Sequence, residues 1–282
     1  MTLRQLYANS TRTLDPVDVK TIIMQVLDID GTRFVLDMDK ELSPEELERL
    51  ENCMERRTAG EPVAYITGRR GFYESTFKVS NATLIPRADT EILVEDAVME
   101  LQSRFGPKDG IRILDLCCGT GCIGISVAKA LSDRVKTIHL TLADLSEDAL
   151  VVCSENTKTI IQEENITVKV TKSDLFQDIE EESFDVILSN PPYIRSDVIP
   201  TLERQVRFEP LMALDGGEDG LVLVRKIAGQ ARKHLSSGGL LEMEIGFDQG
   251  NAAAEILRAE GYREISVIQD LENLDRVVKA FN

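Results

Sequence analysis

The tetrapeptide Asn190-Pro191-Pro192-Tyr193 contains the residue types needed to hold a planar amino group. It follows Phe184–Ser189, an apolar run typical of a buried strand, so it lies where a strand ends and a loop begins. The prolines lack a backbone N–H and fix φ, which stiffens the loop and leaves its carbonyl groups free to accept. Asn190 adds a side-chain acceptor and Tyr193 a flat aromatic face. The motif suits the –NH2 group of an amide or a base, and a plain proline-rich turn is the alternative.

A glycine-rich loop, residues 117–124, is the second stretch with chemical potential. It follows a predicted strand and opens a predicted helix, and glycine lets the backbone turn sharply and approach a ligand. Asp144 lies 23 residues beyond Gly121, at the end of the next predicted strand. A carboxylate there can accept from both hydroxyl groups of a ribose. The pattern predicts a nucleotide-like cofactor, with a dinucleotide as the obvious rival to S-adenosylmethionine.

Three features favour S-adenosylmethionine. The glycines show the dinucleotide spacing G-x-G-x-x-G, but the motif begins two residues too late after the end of the strand. Asp115, at the strand end, is predicted to face the cationic methionine portion. Asp174 and Leu175 close the third strand, where an acid and an apolar residue can flank an adenine, although a helix cap is the alternative role of Asp174. The predicted cofactor-binding residues are Asp115, Cys117, Cys118, Gly119, Thr120, Gly121, Asp144, Leu145, Asp174, Leu175 and Asn190.

The spacing of apolar residues predicts how the chain positions these groups. Residues 1–60 read as a small all-helical domain that includes the capping box Ser43–Glu46. Residues 61–85 are rich in Gly and Pro and read as a hairpin-like linker. Strands and helices alternate over residues 86–282, which predicts a doubly wound, mostly parallel α/β sheet. The predicted strands are 111–116, 137–143, 167–171, 184–189, 240–245, 263–268 and 276–281, and the predicted helices are 92–105, 121–131, 146–161, 221–235 and 249–260.

Composition restricts the classes of protein and partner. The 282 residues are 43% hydrophobic and 29% charged, which is ordinary for a soluble globular protein. No apolar run reaches the roughly 18 residues of a membrane span, and the first residues lack a signal-peptide core, so we expect a cytoplasmic protein. The formal charge of −17 opposes general binding to a phosphate backbone and favours a protein or small-molecule partner. A local basic cluster at Arg56, Arg57, Arg69 and Arg70 is either solvated surface or a contact for an acidic or RNA-bearing partner.

The five cysteines of a chain without an export signal are expected to be reduced. Cys117, Cys118 and Cys122 lie close together, yet the chain has only two histidines that could complete a zinc site. Packing as small apolar residues is the simpler interpretation, and we expect no metal.

The motifs together resemble the release-factor glutamine methyltransferases, the HemK/PrmC family, over nearly the whole chain. The resemblance is carried by residues 59–68, Leu84–Glu91, the glycine loop and Asn190–Tyr193, and by later blocks at 209–221, 244–250 and 270–278. The Asn-Pro-Pro-Tyr motif is shared with amino-group DNA methyltransferases and is moderately specific. The Ile-Pro-Arg-x-x-Thr-Glu block that contains Arg87, combined with an N-terminal helical domain, is highly specific. One departure is Cys117, where the family loop usually begins with Gly and where a side chain slightly crowds the cofactor.

The resemblance implies a seven-stranded, Rossmann-like class I methyltransferase domain that uses S-adenosylmethionine and releases S-adenosylhomocysteine. It implies a class I peptide chain release factor as the partner, with the glutamine of a Gly-Gly-Gln loop methylated on its side-chain nitrogen. We expect the protein to be a monomer. Asn190, Pro191, Pro192 and Tyr193 would be catalytic and, with Arg87, would bind the substrate. A ribosomal-protein glutamine, an amino group of a nucleic acid, or a non-catalytic role in binding S-adenosylmethionine are the alternatives.

Overall fold

The computed structural model describes residues 1–107, 109–180 and 183–282. Two compact units divide the chain, one of Met1–Arg69 with Glu203–Phe208 and the other of Arg70–Leu202 with Glu209–Asn282. None of the helices in the described ranges is long and apolar enough to cross a membrane.

The smaller unit is helical. Its helices are Leu3–Ser10 (α1), Pro16–Val26 (α2), Gly31–Leu36 (α3), Pro44–Thr58 (α4) and Val63–Thr67 (α5). The predicted capping box is confirmed at the start of α4, since Ser43 Oγ accepts from the N–H of Glu46 at 3.1 Å and Glu46 Oε2 accepts from the N–H of Ser43 at 2.8 Å. The apolar faces meet in one core that includes Ile22, Leu50 and Ile66. This packing compensates for the low intrinsic stability of such short helices.

Most of the predicted basic cluster is neutralised inside the helical unit. Arg57 Nε lies 2.7 Å from Asp18 Oδ2, and Arg56 Nε donates to Glu61 Oε2 at 2.8 Å. Arg69 Nη2 donates to the backbone carbonyl oxygen of Gln25 in α2 at 2.8 Å. The cluster therefore serves structure within this unit before it serves any partner.

The larger unit contains a seven-stranded sheet flanked by helices. Its strands are Arg69–Phe72 (β1), Ser75–Lys78 (β2), Gly110–Leu116 (β3), Thr137–Asp144 (β4), Ile166–Lys172 (β5), Phe184–Ser189 (β6), Ile194–Arg195 (β7), Asp215–Gly217 (β8), Leu235–Glu244 (β9), Arg263–Gln269 (β10) and Asp275–Phe281 (β11). Its helices are Glu91–Arg104 (α6), Cys122–Leu131 (α7), Glu147–Ile160 (α8), Val222–Ala231 (α9) and Gly250–Ala259 (α10). The sheet order is β10-β11-β9-β6-β3-β4-β5, while β1 pairs with β2 and β7 with β8.

The sheet topology confirms the predicted doubly wound fold. Strands β4, β3, β6 and β9 pair in parallel, and β11 runs antiparallel to both of its neighbours. The chain moves from β3 to β4 and β5 in one direction and then returns to the other side of β3 with β6 and β9. Ligands in such sheets bind where the order reverses, at the carboxyl ends of the strands. Here the reversal brings the ends of β3, β4 and β6 to one edge.

The predicted helix over residues 221–235 is too long. Helix α9 ends at Ala231, and Leu235 already pairs with Phe184 of β6. Gly238 has φ +73°, and the pairing of β9 shifts its register beyond Phe184, so an irregular segment precedes the fully buried part of β9 from Leu240. Serines and glycines carry no strand periodicity, which is why the sequence pattern placed the strand start too late.

A group of charged side chains, three of them half-buried and one fully buried, joins α6 to the sheet. Lys279 of β11 donates to Asp96 Oδ2 at 2.6 Å and to Glu100 Oε1 at 2.8 Å. Glu242 of β9 is directly opposite Lys279 in the register and is fully buried. Burial is the main cause that raises the pKa of Glu242 well above its usual value, and the neighbouring Asp96 adds to the effect. Lys279 acts in the opposite direction, but this one lysine faces three carboxyl groups.

Glu242→Gln is expected to raise the melting temperature of the protein near pH 8. In the unfolded chain Glu242 ionises near its usual pKa of 4.5, whereas burial keeps it protonated in the folded protein to higher pH. Between these two pKa values the folded state holds more protons, so the contribution of Glu242 to stability falls as pH rises. Thermal denaturation from pH 4.5 to 8 should show the advantage of the variant growing with pH. Glu255→Gln, at an exposed position of α10, is the control. A difference between Glu242→Gln and wild type that does not change with pH would contradict this assignment.

Candidate active site

A cleft opens at the carboxyl edge of the sheet, and most of the predicted site residues line it. The lining includes Arg87, Cys117, Cys118, Gly119, Thr120, Asp144, Leu145, Asp174, Leu175, Asn190 and Pro192. The cleft holds about 1010 Å³ of empty space including its open mouth. Asp115, Gly121, Pro191 and Tyr193 are not part of the lining.

The glycine loop turns from β3 into α7 through left-handed backbone. Gly119 has φ +53° and Gly121 has φ +79°. A Cβ on Gly121 would come within 2.9 Å of Cys153 Sγ in α8, so this glycine permits close packing of the loop. A Cβ on Gly119 would meet no atom within 4 Å, because that position faces open space at the cleft. The loop therefore leaves room for a ligand beside Gly119.

Cys117 occupies the position where the resemblance expects glycine, and its φ is +56°. A non-glycine residue in this conformation carries a strain of about 1–2 kcal/mol. Burial raises the pKa of Cys117 and of Cys122 to about 12, so both are neutral thiols at pH 7. Cys118 Sγ lies 3.9 Å from Cys153 Sγ and is also buried. Neutral buried thiols behave as packing residues rather than as metal ligands or nucleophiles.

Asp144 is fixed at the end of β4 by backbone donors. Its Oδ2 accepts from the N–H of Gly119 at 2.8 Å and its Oδ1 from the N–H of Ser146 at 2.9 Å. Each carboxylate oxygen retains a second acceptor position, and the residue lines the cleft. This geometry joins the glycine loop to the start of α8 and presents an acceptor suited to vicinal hydroxyl groups.

Asp115 lies behind the cleft rather than on its wall. The residue is fully buried, and its Oδ2 accepts from the N–H of Gly124 at 2.9 Å. Its Oδ1 has no hydrogen-bond partner among the described residues. Burial raises the pKa of Asp115 to about 7. A nearby positive charge would favour the ionised form of Asp115. Asp115 could therefore attract a cationic ligand electrostatically from behind the lining, without touching it.

Asn190 lies on the lining, with its amide group already oriented. Its Nδ2 donates to Thr90 Oγ1 at 3.3 Å, and the carbonyl oxygen of the same amide is therefore the atom left for a ligand. No N–H or O–H group of the described residues bonds the Pro191 carbonyl. Asn190 and Pro191 thus supply two acceptors in consecutive residues at the end of β6, of which only Asn190 belongs to the lining. This arrangement can orient an –NH2 group.

Tyr193 has a different setting from the one expected of a stacking residue. Its hydroxyl donates to Glu244 Oε1 at 3.0 Å, and its carbonyl accepts from Gln249 Nε2 at 3.0 Å. Burial raises the pKa of the Tyr193 hydroxyl, and the carboxylate of Glu244 adds to this effect. The ring is directed toward a buried carboxylate and is absent from the lining.

The loop after β6 is held by residues from far along the chain. Strand β7 pairs with β8, and the N–H of Ile194 donates to Leu214 O at 3.0 Å. A Cβ on Gly216 would lie 2.7 Å from Tyr193 Cα and 2.8 Å from Pro192 O. These are backbone atoms, so only glycine fits here without moving the loop. The pairing of β7 and β8 was not predicted from the sequence.

Arg87 is held at the cleft by an ion pair with Glu209, whose side chain is 1% exposed. Glu209 Oε2 also accepts from the N–H of Ile85 at 3.0 Å. One buried carboxylate thus joins the segment before α6 to the segment that carries Pro210 and Met212 of the lining. Residue types alone did not predict this connection.

Sequence reasoning assigned no role to Thr90, Glu244 or Gln249, which support the motif from behind. One signal was present for Glu244. It is the last residue of the buried strand β9, and a charged residue at the carboxyl end of a buried parallel strand is often functional.

Comparison with known proteins places the two parts of the chain in known families. Residues 4–68 match the PrmC N-terminal domain and residues 90–204 match the methyltransferase small domain. A release factor glutamine methyltransferase of Caulobacter vibrioides is 36% identical over 93% of this chain and 88% of its own length. One of Moorella thermoacetica is 35% identical over 100% of this chain and 99% of its own length.

A methyltransferase structure from Pyrococcus furiosus shares the fold, with a TM-score of 0.54 and 17% identity over 82% of this chain and 98% of that one. S-adenosylmethionine is the methyl donor of such domains. The open position beside Gly119, the carboxylate of Asp144 on the lining and the Asp115 Oδ1 without a partner among the described residues fit that group.

Asp144→Asn is expected to weaken S-adenosylmethionine binding by about 10- to 100-fold, as for loss of a hydrogen bond to a charged group. An amide at this position must turn its –NH2 group toward a backbone N–H or toward the ligand hydroxyl groups. Titration calorimetry would measure the affinity, with Asp148→Asn, an exposed residue in the first turn of α8, as the control. Equal affinities of Asp144→Asn and wild type would remove Asp144 from the cofactor site.

Gly216→Ala is expected to loosen the loop after β6 and to speed tryptic cleavage after the exposed Arg195 about tenfold, as for a loss of about 1.4 kcal/mol in local stability. The added Cβ cannot be accommodated because it meets backbone atoms. Mass spectrometry of the fragments would report the site and rate of cleavage. The matched control is Gly31→Ala in α3, where a Cβ meets nothing within 4 Å. Equal cleavage rates in both variants would show that the loop does not depend on this packing.

Proposed function

This chain belongs to the release factor glutamine methyltransferase family, and on that premise we propose that it methylates the side-chain nitrogen of a glutamine in a class I peptide chain release factor. The glutamine is that of the Gly-Gly-Gln loop, and S-adenosylmethionine is the methyl donor. The proposal places the reaction in the cytoplasm, with a monomeric enzyme and no direct contact to nucleic acid.

The observation that carries the proposal is the pair of acceptors at the end of β6. Asn190 directs its amino group to Thr90 and so presents its carbonyl oxygen to the cleft. The Pro191 carbonyl lies next to it in the chain. Two acceptors in this place would match the two N–H groups of a primary amide and would leave the face of its nitrogen open for reaction.

An amide nitrogen is a poor nucleophile because its lone pair is delocalised into the carbonyl group. The acceptors of Asn190 and Pro191 would hold the nitrogen in line with the reacting carbon and stabilise the positive charge that develops on its hydrogens. When bound, S-adenosylmethionine supplies an electrophilic methyl group. The described lining contains no His or Lys, and we propose that no strong general base is needed before transfer.

The cofactor is proposed to occupy the part of the cleft formed by β3, β4 and the residues after β5. Asp144 would accept from the ribose hydroxyl groups, and Asp174 and Leu175 would flank the adenine. Asp115 would favour the cationic methionine portion from behind the glycine loop, where its Oδ1 lacks a partner among the described residues. Cys117 Sγ would contact the same portion from the lining.

A protein substrate suits the rim better than a nucleic acid does. Leu145 and Met212 line the cleft and are 48% and 51% exposed. Such apolar residues can pack against a peptide loop, and the net charge of −17 opposes a phosphate backbone. Arg87, fixed by Glu209, is proposed to bind a backbone carbonyl of the incoming loop. A ribosomal-protein glutamine would use the same acceptors and is the nearest rival substrate.

The first test is transfer of labelled methyl from S-adenosylmethionine to a bacterial class I release factor. Label on the native factor and none on a Gln→Ala variant of its Gly-Gly-Gln loop is the expected result. Label on both would place the methyl group elsewhere. Label on neither, with cofactor still bound, would reject this substrate, and ribosomal proteins and then nucleic acid would be assayed.

Asn190→Ala is expected to lower kcat by about 10²–10³ while S-adenosylmethionine still binds, as for loss of one transition-state hydrogen bond. The substitution removes the acceptor and leaves the Pro191 carbonyl in place. Single-turnover methyl transfer, with calorimetry for the cofactor, separates the chemical step from binding. Unchanged turnover would exclude Asn190 from this role.

A further inference from the structure

The residues Asn190–Pro192 form a short arch between two held points of the chain, and we call them the proline arch. The near end is Ser189 of β6, which is fully buried and pairs with Leu116 of β3 and Met243 of β9. The far end is Tyr193. Both acceptors that are proposed to hold the substrate amide lie in the arch, so their direction depends on how its two ends are held.

The proline arch is stiff because of its own sequence. The proline rings fix φ at Pro191 and Pro192. Asn190 and Pro191 each precede a proline, which restricts both of them to extended conformations. The soft torsions that remain are too few to move one end of the arch freely relative to the other. Once both ends are held, the Pro191 carbonyl therefore keeps one direction.

The hydroxyl group of Tyr193 provides the first hold on the far end. It donates to Glu244 Oε1 at 3.0 Å, and Glu244 is 1% exposed and ends β9, so this contact fastens the arch to the sheet. Burial raises the pKa of the Tyr193 hydroxyl, which stays protonated at neutral pH. A protonated carboxyl group bonds a hydroxyl group as an ionised one does, so the contact does not depend on the charge of Glu244.

Gln249 provides a second hold, on the backbone of Tyr193. Gln249 Nε2 donates to the Tyr193 carbonyl oxygen at 3.0 Å, and Gln249 Oε1 accepts from the N–H of Gly246 at 2.8 Å. A backbone carbonyl only accepts and a backbone N–H only donates, so one orientation of the Gln249 amide satisfies both partners. Gln249 is 7% exposed and is the N-cap residue of α10. The direction of this contact is therefore fixed by the backbone.

The surroundings of Tyr193 are those of a held residue rather than of a ligand-binding face. A Cβ on Gly220, where φ is +74°, would collide with both the Tyr193 carbonyl oxygen and Gln249 Nε2. The hydroxyl and the carbonyl group of Tyr193 both have partners, and the residue is absent from the lining of the cleft. The ring is thus not placed on the wall that the substrate amide would meet.

We propose that Tyr193 is a positioning residue rather than a stacking residue, which fixes the far end of the proline arch and so aims the Pro191 carbonyl at the reacting nitrogen. The inference rests on the proposed function of the arch. Glu244 holds the hydroxyl of Tyr193, and Gln249, 56 residues further along the chain, holds its carbonyl group. Methyl transfer then depends on two residues that do not touch the substrate.

Tyr193→Phe is the decisive variant, because it keeps the ring face and removes only the hydroxyl. We expect the single-turnover rate of methyl transfer to the native factor to fall about 10- to 100-fold, since a small displacement of an aligned group has an effect of this size. This rate does not depend on the fraction of active enzyme. KM for the factor and the Kd of S-adenosylmethionine should each change by less than about threefold, because Tyr193 lies off the lining.

A double-mutant cycle tests whether the hydroxyl acts through Glu244. Glu244→Leu removes the acceptor and should lower the single-turnover rate about as much as Tyr193→Phe does. In the Glu244→Leu background, Tyr193→Phe should have less than about a threefold further effect, because the bond that it removes is already absent. A further loss of about tenfold or more would show that the hydroxyl acts on another group, and would overturn the assignment.

Gln249→Glu tests the other contact with a side chain of the same shape. The introduced carboxylate still accepts from the N–H of Gly246, but it turns an oxygen, in place of a donor, toward the Tyr193 carbonyl. The single-turnover rate should fall about tenfold while the affinity for S-adenosylmethionine is retained. Gln162→Glu, which adds the same charge at an exposed position after α8, is the matched control and should keep the wild-type rate.

The outcomes separate this inference from the proposed function. Methyl transfer by the wild type to the native factor, absent on its Gln→Ala form, supports the proposed function whatever the variants do. With that result, a wild-type rate in either Tyr193→Phe or Gln249→Glu would overturn the positioning role, and in Tyr193→Phe it would favour stacking. Parallel losses of cofactor affinity and melting temperature in both variants would overturn it in favour of a structural role. A wild type that never methylates the factor would refute both.

Discussion

A loop that begins with two prolines cannot be held by its own backbone, and the rest of the site depends on how this chain solves that problem. Pro191 and Pro192 contribute no N–H groups, so after β6 the loop has few donors with which to join the sheet. Side chains supply the bonds instead. At the end of β6 Ser189 Oγ donates to Leu116 O at 2.8 Å, and from the start of α10 Gln249 Nε2 donates to Tyr193 O at 3.0 Å. The free carbonyl groups that make the motif chemically useful are thus a consequence of the same absence of donors.

Local pattern was sufficient for the sheet and for the two loops that bound the cleft. Alternating apolar runs located the strands, and a glycine loop followed 23 residues after Gly121 by Asp144 located the cofactor edge. These signals are local because each strand carries its own apolar run and the topology rule then brings their carboxyl ends together. The short pairing of β7 with β8 was missed because its residues, Ile194–Arg195 and Asp215–Gly217, have no periodicity to detect.

The positions of individual side chains behind the lining could not be predicted from type and spacing. Asp115 was expected on the cleft wall, yet the structure buries it against the N–H of Gly124. Tyr193 was expected to present its ring, yet its hydroxyl bonds Glu244. Both side chains stand at strand ends, where a small rotation decides between the cleft and the interior. That choice is made by partners distant in sequence, and a single sequence does not reveal them.

The dependence of the Asn190 loop on Gly216, Glu244 and Gln249 also has a consequence for how the protein folds. The residues that line the cofactor edge lie mostly before residue 193, whereas the supports of the loop lie beyond residue 214. Contacts between such distant segments form late, because the chain between them must first be ordered. During synthesis a nascent chain that has reached β6 already has the whole Asn-Pro-Pro-Tyr sequence, but the loop cannot yet take its final shape. Competence to react would therefore arise only when β9 and the start of α10 have docked.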